Sequence, residues 1–111
     1  MARKVTEEIY KAWLHCKRKT IGNTRTDGKS VFLHSHEIIR TVESHTEFCL
    51  AGWNTRTTRE RVNYFLAPVF TIRQVKGEPV LFKCEVGKPA RKIGVLDDTE
   101  WYDIDILTRW L

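Results

Sequence analysis

The chain contains no run near the roughly 20 apolar residues that a membrane-spanning helix needs, and its N-terminus has no apolar signal region. A cytoplasmic protein with no membrane partner is therefore expected. Cysteine is sparse and badly spaced for a framework. Cys16, Cys49 and Cys84 are odd in number, far apart and never in C-x-x-C spacing. That excludes a disulfide-stapled scaffold or a zinc knuckle and points to reduced thiols. Also missing are G-x-S-x-G, a P-loop, H-E-x-x-H and any kinase-like pattern. With no cofactor implied, a non-enzymatic role is expected. No internal repeat or low-complexity segment interrupts the chain.

What is present is ordinary globular material. A length of 111 residues suits one domain, 1–111, with a single modest core. Four tryptophans, three tyrosines and five phenylalanines can supply much of the buried area. The net charge of +5 hides an asymmetry. Residues 1–96 carry 18 basic against 9 acidic side chains, a net of +9. Residues 97–111 carry Asp97, Asp98, Glu100, Asp103 and Asp105 against Arg109, a net of −4. So basic a body attracts anionic partners at long range, unless the acidic end folds back and neutralises it.

Hydropathy patterning predicts an α+β domain. Residues 5–19 read as an amphipathic helix capped by Thr6, with Val5, Ile9, Ala12, Trp13 and Cys16 on one face. Residues 22–28 read as a loop, bounded by two glycines and rich in Asn, Thr and Asp. Residues 31–34, 37–42 and 47–51 then form a three-strand meander over 31–51, with tight turns at Ser35-His36 and around Glu43. Thr57 followed by Glu60 is a capping box opening a helix over 57–66, which Pro68 stops. Residues 69–75 and 79–85 flank Lys76-Gly77-Glu78 as a hairpin over 69–85, and residues 87–94 read as a basic loop. The acidic terminal element 99–111 fits a helix capped by Thr99, with Trp101, Ile104, Leu107 and Leu111 on one side; a strand is the other reading. The architecture expected is one antiparallel sheet of about five strands with an N-terminal helix, a short helix after strand three and a C-terminal helix.

Five groups carry candidate chemistry. Arg56, Arg59, Arg61 and Asn63 stand at a helix start, where free amides and the helix dipole favour phosphate, and Arg and Asn pair with guanine and adenine edges. The competing reading is internal: the arginines pin carboxylates such as those of the acidic end. Trp53 beside them either stacks on a base or packs in the core. Lys17, Arg18 and Lys19 with Arg25 and Lys29 form the densest basic group, suited to phosphate contact. Lys83, Lys88, Arg91 and Lys92 form a second basic stretch. His34 and His36 with His15, His45 or a cysteine have donor types suited to a metal, but the spacing is unspecific and ordinary edge positions are expected. The five terminal carboxylates have the oxygens to hold Mg²⁺ for phosphodiester cleavage, with Lys92 or Lys83 assisting, yet no spacing there is diagnostic.

The segment Ala51-Gly52-Trp53-Asn54-Thr55-Arg56-Thr57-Thr58-Arg59-Glu60-Arg61-Val62-Asn63 resembles one that recurs in a family of small bacteriophage and prophage proteins. Gly22 to Gly28 followed by Val31-Phe32-Leu33-His34 is similar to a second segment of the same family, in the same order and spacing. Together they span about residues 9–75. This chain departs from the pattern at Ser35-His36, where Gly-Asn is usual, and at Asn54, where Pro is usual. The resemblance implies a phage accessory gene product acting in the host cytoplasm, with no particular activity.

The expected function is binding of nucleic acid or a nucleic-acid-containing complex, with Arg56, Arg59, Asn63, Arg25, Lys29, Lys17 and Arg18 as contacts. The alternative is inhibition of a host protein complex of defence or transcription by direct contact. In that reading the acidic end imitates phosphate, and Trp101 and Trp110 anchor in a partner.

Overall fold

The computed structural model describes residues 2–110, without the side chains of Ala2, Arg3 and Trp110. The first helix, α1 (Ala2–Leu14), buries Thr6 and Ile9 and sets Trp13 against the core. It ends earlier than residue 19 for a local reason. Cys16 takes a left-handed backbone, φ 56°, and the amides of Cys16 and Lys17 return to the carbonyls of Trp13 and Ala12 at 3.1 and 2.8 Å. This Schellman closure satisfies the last carbonyls and releases Lys17 to Lys19 from the helix. Gly28 packs on it. A Cβ there would lie 2.8 Å from the Cys16 carbonyl carbon and oxygen, so only glycine permits the approach.

The stretch expected to be a loop is a hairpin, β1 (Lys19–Ile21) and β2 (Thr24–Thr26), closed by Gly22-Asn23. The inward residues of β2 are threonines, whose hydroxyls are satisfied: Thr26 donates to the Ser30 carbonyl at 2.7 Å and Thr24 accepts from Arg61 at 3.0 Å. The meander follows as β3 (Ser30–Leu33), β4 (His36–Val42) and β5 (His45–Phe48). Its first turn is His34-Ser35, with φ 51° and 69°, one residue before the expected position. The register shifts opposite Val31 and Phe32, which lets adjacent Ile38 and Ile39 both reach the core.

Left-handed Ala51 and Gly52 end the meander, and α2 (Arg56–Leu66) begins behind Thr55. Thr55, not Thr57, is the cap: its hydroxyl accepts from the Thr58 amide at 3.2 Å, because Glu60 turns away to Thr6 and Arg61. The hairpin of β6 (Phe70–Val75) and β7 (Glu78–Lys83) turns on Lys76-Gly77. The expected basic loop is instead a strand, β8 (Arg91–Val95), with Arg91 and Lys92 exposed and Ile93 set against the core. The terminal element combines both readings: β9 (Tyr102–Asp103) pairs with β5, then α3 (Ile104–Trp110) begins. Its cap is Asp103, which accepts from the Ile106 amide at 3.0 Å, not Thr99. Leu111, expected on that helix, lies outside the described residues.

The fold is α+β, as expected, but with two antiparallel sheets: six strands in the order β1-β2-β3-β4-β5-β9, and β6-β7-β8. Helices α1 and α2 pack on one face of the larger sheet, and α2 also meets β6. Between them lie Ile9, Val31, Ile39, Phe48, Val62 and Phe70. No described helix is long and apolar enough to cross a membrane.

Candidate functional site

Helix α2 uses its polar side chains for three separate purposes. Arg61 is buried at 4% exposure. It donates to Thr24 Oγ1 at 3.0 Å and Thr6 Oγ1 at 2.8 Å and pairs with Glu60, fastening α1, β2 and α2 together. The internal reading therefore holds for Arg61, with Glu60 as the carboxylate. Asn63 is equally occupied: its amide donates to the Ile72 carbonyl at 3.0 Å and its oxygen accepts the Ile72 amide at 2.7 Å, closing the edge of β6. Arg59 donates to the Asn54 carbonyl at 3.1 Å and to Asn54 Oδ1 at 2.5 Å. Arg56 alone of the four projects into solvent from the first turn. Thr55 already satisfies the Thr58 and Arg59 amides, so those of Arg56 and Thr57 remain open among the described residues.

Beside this turn lies a cleft of about 440 Å³, within the range of small-ligand sites. Buried Leu33, Ile38 and Leu50 floor it, Thr55 and Thr57 lie on the α2 side, and His34, His36 and Trp53 complete it. Trp53 is 55% exposed, so it is not the core residue that its place after a strand favours. The His36 ring packs on it with centroids 5.9 Å apart. His34 and His36 thus line one cleft; His34 also meets Asn23 at 3.4 Å. The H-x-H spacing was a signal for this juxtaposition, although it suggested a metal.

The second basic group gathers at the other end of β3. Lys17 and Arg18 follow Cys16, and Lys29 follows Gly28, so the Gly28–Cys16 contact makes them neighbours. A groove of about 420 Å³ is lined there by Lys11, His15, Lys17, Arg18 and Lys19, with Glu8 at its side. The turn that carries Lys29 is tied by its own hydrogen bonds. The Asp27 carboxylate accepts from the Ser30 and Lys29 amides at 2.7 and 2.9 Å, which holds its carboxyl below the ordinary value. The Lys29 carbonyl accepts from Trp13 Nε1 at 3.1 Å. Arg25 lies on the outward face of β2 with its guanidinium 4.1 Å over the Phe32 ring.

The acidic end is engaged elsewhere. Asp103 and Asp105 converge on His45, whose Nδ1 stands 3.2 and 3.7 Å from their Oδ2 atoms, angled so that it hydrogen-bonds to neither. Asp105 also accepts from the Thr46 amide at 3.3 Å. These three are the one group among the described residues with metal-ligand donors in mutual reach. Asp97 accepts from the Thr99 hydroxyl and amide at 2.6 and 2.8 Å, which lowers its carboxyl pKa. Trp101 is half-buried, with the Arg40 guanidinium 3.9 Å over its ring and that arginine paired to Glu47 at 2.6 Å. The side chain of Trp110, the other expected anchor, lies outside the described residues. Of the remaining basic stretch, Lys88 pairs with Glu85 at 3.7 Å, and Arg91 and Lys92 stand on β8. Burial pushes the Cys49 thiol pKa up, which keeps it an unreactive thiol.

Residues 2–85 match the family model described as Kyanoviridae Gp96 protein. The chain belongs to this family of phage proteins. No curated protein and no solved structure matches it. The part matched to the Gp96 family runs from α1 through β7. It contains the Trp53 cleft, the α2 start and the Lys17–Lys29 group. The acidic end lies beyond it.

Proposed function

We propose that this Gp96-family protein binds nucleic acid, or a complex containing it, through phosphate contacts and without catalysis. Arg56 is the contact at the α2 start; Lys17, Arg18, Lys29 and Arg25 supply the others. Arg59 and Asn63, expected beside them, serve this surface by holding Asn54 and β6 in place. The observation that carries the reading is where the negative charge goes. The carboxylates of Asp103 and Asp105 face His45 at the β5 edge, and among the described residues no ion pair joins Arg56 or Arg59 to residues 97–105. An exposed arginine beside open helix amides is then available to phosphate.

The test is an anisotropy titration of labelled DNA and RNA in rising salt. Binding at about 50 mM salt that weakens steeply towards 200 mM is the expected result. Absent binding at the lower salt, or binding flat with salt, contradicts it. The alternative, contact with a host protein, is read from a lysate pull-down treated with nuclease: a partner retained after digestion favours it.

A further inference from the structure

The geometry points to a nucleotide subsite: the cleft beside Trp53 takes an unpaired base, and Arg56 with the open α2 amides takes its phosphate. This rests on the nucleic-acid reading above and narrows it to single strands. Three observations carry it.

First, Trp53 is presented rather than left over. An exposed tryptophan on a slack loop gains little by stacking, because the loop must be ordered on binding. Here the loop is pinned on both sides. The Gly52 amide donates to the Asp98 carbonyl at 2.6 Å, the Trp53 amide to the Leu50 carbonyl at 2.9 Å, and Asn54 Nδ2 to the Gly77 carbonyl at 3.3 Å. Arg59 clamps Asn54 twice more. The exposed His36 ring lies beside the indole, tilted by 39°. Arg59 is therefore a positioning residue.

Second, the cleft has the chemistry of a base site. Its floor is apolar, and exposed His34, His36 and Thr55 line it as well, so a flat heterocycle can bury its faces and keep its polar edge bonded. Third, the charge is placed for the phosphate attached to that base. Thr57 lines the cleft, and Arg56 precedes it in the same turn, facing the neighbouring groove lined by Tyr64. A base in the cleft puts its backbone over the α2 start. A paired base presents only its edge and cannot stack on Trp53 without leaving the duplex.

The experiment compares labelled oligo-dT, a duplex of equal length and an abasic strand of equal charge, with dTMP as competitor. Wild-type protein is expected to bind oligo-dT at least tenfold more tightly than the duplex or the abasic strand. W53A is expected to remove that preference, a loss of about tenfold for oligo-dT with duplex binding unchanged; W53F, which keeps a ring, should restore most of it. Competition by millimolar dTMP assigns the subsite to free nucleotides as well as strands, whereas strand-only binding assigns it to strands. Equal binding of all three oligonucleotides with W53A silent overturns the subsite and leaves the phosphate reading standing. Failure of every oligonucleotide to bind at low salt overturns both.

Discussion

Three arginines within six residues have three different jobs, and stability measurements separate them. Arg61 is buried with Glu60 and two threonine hydroxyls, so R61A removes the charge partner of Glu60 and the tie between α1, β2 and α2, and should cost about 3 kcal/mol in urea denaturation. R56A, at an exposed position, should stay within about 0.5 kcal/mol of wild type. Equal effects would mean that the two roles are misassigned. Asp27 gives a pH signature. Its folded carboxyl is held low by two amide donors, so the stability it contributes is present above its unfolded pKa of about 3.9 and is lost as pH falls through the folded value. Wild type should exceed D27N in Tm at neutral pH, with the gap closing below about pH 4; a constant gap contradicts this. At this scale the sequence was only partly legible. It marked the Arg56–Asn63 segment correctly as unusual, but could not sort its members. Arg61 finds Thr6 and Thr24, 55 and 37 residues away, and a hydropathy pattern counts any arginine as surface. Trp53 was hidden in the opposite sense, an apolar residue that the Ala51-Gly52 turn carries outward.

Elements were readable where a local signal and the tertiary packing agree. The Lys76-Gly77 hairpin and the β3–β4–β5 meander appear close to where alternation and turn residues place them. Differences arise where a distant partner wins. Thr57 and Glu60 have capping-box spacing, yet Glu60 is recruited across the fold by Thr6 at 2.9 Å, leaving Thr55 to cap. T55A should therefore lose about 1 kcal/mol, and T57A much less, by chemical denaturation; the reverse order would restore the capping box. The strand β8 escaped because its edge carries Arg91 and Lys92, charges that protect an edge from further pairing and also resemble a loop. Helix α1 stops at Leu14 because Cys16 adopts a left-handed turn against Gly28, a contact between residues twelve apart that helical periodicity does not register.

The whole molecule keeps its opposite charges apart. The sequence asymmetry raised the question of whether the acidic end covers the basic body. It docks instead as β9 and α3 on the β5 edge, while Arg56 and the Lys17–Lys29 group stay exposed at opposite ends of β3. The α+β class was legible from helix and strand periods alone. The division into two sheets was not, because strand pairing across the α2 connection is a tertiary choice: α2 packs against both β4 and β6, which lie in different sheets. This uncovered surface is the one proposed to contact phosphate. The most direct test is the slope of log K against log salt for single-stranded DNA, in wild type and in the K17A/R18A/R56A variant. A clearly negative wild-type slope is expected, shallower in the variant by about 0.7 for each phosphate contact removed. Identical slopes, or no binding at about 50 mM salt, would contradict it.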